Sequence, residues 1–135
     1  MRRLAFVLAA AVTACGPRTA PGRVESGPQF WRPPAAKETW RIAGHLDTRR
    51  SWGVLGTHPE HEVVVTVNGQ VAMQGDMPRN EPIELSGTAE GANVSAICTP
   101  RMVSRATLQV TCMVMVANER AATLSLVAGT QRPRG

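Results

Sequence analysis

Glu62-Val63-Val64-Val65-Thr66-Val67-Asn68-Gly69-Gln70 decides the fold class. Five β-branched residues in a row favour an extended chain, because their χ1 freedom survives better on a pleated surface than in a helix. Asn68-Gly69 then supplies two residues that accept positive φ, which a type I′ hairpin turn requires. The run therefore predicts a strand over Glu62–Val67 and a returning strand over Gln70–Gln74. The same reading extends in both directions. Upstream, Thr39–Asp47 and Arg49–Leu55 read as strands. Downstream, Ile83–Ala89 turns through Glu90-Gly91 into Asn93–Thr99. Pro100–Ser104 reads as a loop, Arg105–Ala117 as the longest apolar strand, and Asn118-Glu119 as a turn into Ala121–Ala128. No segment shows a helical period. The prediction is an all-β domain over 38–128: an antiparallel meander closing into a small sandwich or barrel. A domain of this size holds one core with little stability to spare.

The chain opens differently. Met1-Arg2-Arg3 is basic, and Leu4–Ala11 is apolar but far shorter than the ~20 residues that span a bilayer. Val12-Thr13-Ala14-Cys15 follows. This stretch resembles the signal of bacterial lipoproteins, whose lipobox runs aliphatic, small, Ala or Gly, then Cys. The resemblance covers only about the first fifteen residues. It implies a signal peptide over 1–14 and a diacylglyceryl group on the Cys15 sulfur. Two or three acyl chains hold a protein stably on a membrane, where one does not. Gly16 replaces the Asp that usually retains such proteins in the inner membrane. The resemblance thus implies a cell-envelope protein, anchored in the outer membrane and facing the periplasm.

The chain has three cysteines, Cys15, Cys98 and Cys112. If Cys15 is lipidated as the resemblance implies, Cys98 and Cys112 are left to pair in an oxidising compartment. The fifteen-residue loop so closed is worth ~3 kcal/mol on the chain-entropy estimate. A metal-binding pair or a redox couple are the alternatives, but the spacing is not C-x-x-C and no His lies nearby. If Cys98 faces Cys112 on antiparallel neighbours, Ala96 faces Val114 and Val94 faces Val116. Val94, Ala96, Cys98, Leu108, Val110, Cys112, Val114 and Val116 then share one apolar face. The opposite face carries Ile97, Met113 and Met115 beside Ser95, Thr99, Gln109 and Thr111. It is either covered by other parts of the chain or is a partner-binding patch, for which Met is suited.

The formal net charge is +5, but its distribution matters more. The expected domain, 38–128, holds seven Arg and nine acidic residues, while the basic excess sits at the ends. A nucleic-acid domain needs a basic face of its own, so nucleic acid is excluded as the expected partner. Basic ends beside a lipid anchor suit anionic headgroups. Residues 15–37, rich in Pro and Gly, read as a tether, and 129–135 as a basic tail. Within the tether, Phe30-Trp31 either docks on the domain or contacts a partner or the membrane interface.

Chemical motifs are sparse. His58-Pro59-Glu60-His61-Glu62 is the densest set of ligand types, and His58 and His61 are the weak metal candidates. Pro59 disrupts a strand, so the segment reads as a turn of solvated charges. If extended, it would put the two His on opposite faces. Met73, Met77, Met113 and Met115 form no MxxM cluster and read as packing residues rather than copper ligands. His45, Asp47 and Ser51 make a triad by type only, without a nucleophile elbow. Trp40 and Trp52 read as core. No cofactor and no catalytic residue is expected. The expectation is a non-enzymatic, lipid-anchored module that binds an envelope protein or the cell wall. The alternatives are a periplasmic small-ligand or metal-binding lipoprotein and an inhibitor of a wall-degrading enzyme.

Overall fold

The computed structural model describes residues 21–34, 38–54 and 56–129, so the signal, Cys15 and the tail from 130 lie outside the described residues. Nine strands occur among them: β1 (Gly22–Glu25), β2 (Gln29–Trp31), β3 (Trp40–Gly53), β4 (Gly56–Val67), β5 (Gln70–Met77), β6 (Ile83–Ala89), β7 (Ala92–Met102), β8 (Leu108–Val116) and β9 (Glu119–Ala128). All pairings are antiparallel. One sheet runs β1-β3-β4-β5, with β2 also on β3, and the other runs β6-β7-β8-β9. The two form an all-β sandwich, not a closed barrel.

The hairpin turns follow the local chemistry. Asn68 and Gly69 have φ of 52° and 82°, and Glu90 and Gly91 have 49° and 76°, so both turns take the positive-φ pair that type I′ demands. The last turn differs by one residue: Ala117 and Asn118 carry the positive φ, at 49° and 65°, in place of Asn118-Glu119. A register shift between Val114 and Met115 accompanies it, consistent with one residue too many on that hairpin.

Cys98 and Cys112 are bonded and stand directly opposite on β7 and β8. Ala96 faces Val114 and Val94 faces Val116, the pairing read from the sequence. All eight residues of that face are buried and join Ile42, Leu46, Val63, Val65, Met73, Leu124 and Leu126 in one core between the sheets. Met73 and Met77 are core residues.

Several boundaries depart from expectation. Two short strands fall within the expected tether: β1 pairs with β3 from Gly22 opposite Thr48, and β2 sets Trp31 opposite Trp40. Gln29 continues the job across the sandwich. Its side-chain amide accepts from the Thr123 N–H at 3.0 Å and donates to the Thr123 carbonyl. An amide can thus stand in for a neighbouring strand on the edge of β9. The two upstream strands expected around Thr48 are one, β3, and β4 begins at Gly56. The 58–62 segment is therefore strand, not turn. Pro59 is tolerated because it sits opposite Arg50 beyond the last β4–β5 pair, His61 with Met77, where β4 has a neighbour on one side only. The loop expected at Pro100–Ser104 is displaced to 103–107, since β7 continues to Met102 and β8 begins at Leu108, not Arg105.

Candidate functional site

The structure separates the residues singled out in the sequence. Trp31 turns inward and meets Trp40 edge-on, with ring centroids 5.4 Å apart at 73°, so it is a packing residue. Phe30, next to it, points out from the other sheet and is 68% exposed. Ile97, Met113 and Met115 do stand together. Ile97 is paired with Met113 on the outer face of the β6–β9 sheet, and Met115 lies two residues further on the same face. No described residue of the second sheet covers this face, because both sheets share the single core on the opposite side. Ile97 is 45% exposed and the two Met are half-buried.

The apolar strip is framed by polar side chains, two of them charged: Glu84 lies opposite Ile97 on β6, and Arg120 opposite Met115 on β9. Ser95 lies opposite Met115 on β7, Thr123 opposite Met113 on β9, and Thr99 opposite Thr111. Beyond Met115, a shallow hollow of about 500 Å³ is lined by Ser86, Thr88, Asn93, Ser95 and Asn118 among others. Small hydroxyls and amides hydrogen-bond adaptably and cost little to desolvate compared with charges. The face is thus shaped for broad contact rather than for chemistry on one atom.

A second apolar feature was not anticipated. β3 and β4 continue beyond their neighbours, since β1 starts opposite Thr48 and β5 ends opposite His61. Residues 49–53 and 56–60 therefore form a two-stranded arm. Trp52, expected in the core, stands near its tip and is 85% exposed, and Val54 is fully exposed. The sequence signal was the uncharged run Ser51–Thr57 bounded by Arg49-Arg50 and His58. A Trp beside a strand pattern reads as core until the sheet is known to stop short of it.

The metal candidates separate. His58 is exposed and lies near Glu60, at 3.4 Å between Nε2 and the carboxylate. His61 is buried on the other face, where its Nδ1 shares a 2.8 Å hydrogen bond with the Thr48 hydroxyl. Among the described residues no group of three His, Cys, Asp or Glu could hold a metal ion. The nominal triad also fails on distance. His45 Nε2 is 3.6 Å from Asp47, but Ser51 lies six residues along the same strand, about 20 Å away. Ser51 instead hydrogen-bonds Glu60, and with Arg49 this holds the Glu60 carboxyl below its usual range.

His61 has a consequence for stability. Burial, and secondarily the charge of Arg79, lower its pKa from the ordinary 6.5. Its Nε2 is buried without a hydrogen-bond partner among the described residues, so the charged imidazolium, which carries a proton on both nitrogens, has an unpaired N–H. The unfolded chain binds that proton near pH 6.5 and the folded chain only at lower pH. His61 thus stabilises the fold above ~pH 6.5, and that contribution is lost as pH falls toward the folded-state value. The melting temperature is expected to drop as the buffer goes from pH 7.5 to 5. His61→Gln should flatten that part of the profile. An equally steep profile in the variant would assign the drop to another group.

No protein-family model, curated protein or solved structure matches this chain.

Proposed function

We propose that this is a lipid-anchored cell-envelope protein that acts by binding another envelope protein through the outer face of its β6–β9 sheet, without catalysis. The anchor reading rests on Val12-Thr13-Ala14-Cys15, and outer-membrane placement on Gly16. The observation that carries the binding reading is the strip Ile97, Met113 and Met115, left open at the centre of a four-stranded sheet and framed by Ser95 and Thr123, with Glu84 and Arg120 at its edges. Methionines adapt their shape to a partner, and such a strip recovers apolar burial on association.

A photo-crosslinking side chain at Ile97 tests this in living cells. It is expected to trap one protein species. With the crosslinker kept at 97, Met113→Glu combined with Met115→Glu should abolish that contact at unchanged fold, because both side chains lie off the core. Crosslinks spread over unrelated species, or none, would overturn the proposal.

A further inference from the structure

The structure brings Gly22 and Gly129, the first strand residue and the last described residue, to the same end of the sandwich as the arm. β1 begins at Gly22 opposite Thr48, just where the arm leaves the sheet. At the other end of the chain, Gly129 lies against Ala106 and Thr107 in the β7–β8 loop. That loop is on the arm's side: β5 and β6 meet antiparallel, with Gly75 against Leu85 and Gly87 against Ala72, so Met77 and Ile83 share this end. Ile83 in turn pairs with Cys98, and β7 then runs on to Met102 at the same end.

The surface gathered there has a definite character. Trp52 and Val54 form the apolar tip, and Val103, 57% exposed, adds to it from the β7–β8 loop. Arg49 and Arg50 stand behind the tip, Arg101 lies at the end of β7, and Arg79 and Arg105 come from the adjoining connections. Against these five arginines stand Glu60, which pairs with Arg49, and Asp76 and Glu81, although 38–128 as a whole is net acidic. In sequence, Arg18 lies four residues before Gly22, and Arg132 and Arg134 lie three and five after Gly129.

We propose that this end is a membrane-docking surface: the β3–β4 arm enters the headgroup region of an anionic bilayer, Trp52 first. The proposal rests on the anchor reading above, and chain lengths support it. From Cys15 to Gly22 is seven residues, which reach no more than about 25 Å. From Thr48, opposite Gly22, to Gly53 at the arm's end is five residues of strand, about 17 Å. A lipidated Cys15 therefore holds this end, and no other, within arm's length of the bilayer. The earlier picture of a long tether is replaced by a short one, because residues 22–31 belong to the sandwich. Trp favours the headgroup level, and arginines behind it meet anionic lipid. Only the tip enters, since the unpaired backbone edges of a two-stranded ribbon cannot be left in hydrocarbon. Docking arm-first stands the sandwich upright and leaves the Ile97–Met113–Met115 face free for a partner alongside.

The test uses the mature protein purified from membranes and reconstituted in vesicles of brominated lipid, which quenches tryptophan on contact. In vesicles containing phosphatidylglycerol, wild-type emission should be quenched, and Trp52→Phe should lose most of that quenching, because Trp40 is buried and Trp31 half-buried. The Arg49→Glu, Arg50→Glu double variant, or vesicles of phosphatidylcholine alone, should weaken docking roughly 10–100-fold. Absent quenching, or quenching unchanged in Trp52→Phe, would overturn the proposal and leave the tip to a protein partner or to solvent. The mass of the purified protein reads the anchor independently: a missing acyl adduct sinks the lipidation of Cys15 whatever Trp52 does.

Discussion

Gly87→Ala is expected to cost the domain about 3 kcal/mol or more, a large part of the stability of a small fold. Gly87 sits on β6, the edge strand of its sheet, where it packs against β5 at the edge of the other. An ideal Cβ there would lie 1.9 Å from the Ala72 carbonyl oxygen and 3.0 Å from its carbon. Both are backbone atoms of β5, so the strain is relieved only by moving one sheet against the other, and that disturbs Met73 and Leu85 in the core. Gly75→Ala is the natural control. Its Cβ would meet only the Leu85 Cδ2, at 2.6 Å, the far end of a side chain that can rotate away. Urea denaturation should therefore show a much lower midpoint for Gly87→Ala than for Gly75→Ala. A loss under about 1 kcal/mol at Gly87 would mean that the sheets do not meet at this corner.

The second large effect belongs to the disulfide. Replacing Cys98 and Cys112 together by Ala is expected to cost about 3 kcal/mol through the freed fifteen-residue loop, and more through the buried sulfur volume lost. For a domain of this size, that lowers the melting temperature by roughly 12–24 °C. Both cysteines are fully buried, so a thiol reductant should leave the native protein intact and act only once it unfolds. Rapid reduction of folded protein would contradict that burial. β7 and β8 are already neighbours across a short loop, so the staple reinforces one hairpin rather than joining the two sheets. Its removal should therefore weaken the fold without changing its topology.

Much of the hairpin architecture was legible from local signals. Asn68-Gly69 and Glu90-Gly91 marked their turns because few dipeptides accept two positive φ angles in succession. The register of β7 on β8 followed once Cys98 and Cys112 were set opposite, because a one-residue slip would turn every apolar side chain outward. Pro59 and Trp52 were misread for one common reason. A proline is tolerated in a strand, and a tryptophan near its end is exposed, only where the neighbouring strand has stopped. Where β5 stops relative to β4 is a property of the pairing, not of either segment's composition. The strands at 22–25 and 29–31 were missed because they are short and Pro- and Gly-flanked. β3 holds them in place through pairing, Ser26 through its hydrogen bonds to Gly44, and Gln29 through its reach to β9.

The sequence by itself determined the all-β class, the turns, the core face of β7 and β8 and the covalent pair within it, because backbone φ preferences and period-2 alternation act between near neighbours. Only the tertiary structure decided which apolar face stays open, how far the β3–β4 arm runs past its sheet, and that Gly22 and Gly129 lie at that arm's end of the sandwich. Those outcomes depend on strand lengths and pairings between residues tens of positions apart, and no local preference encodes them.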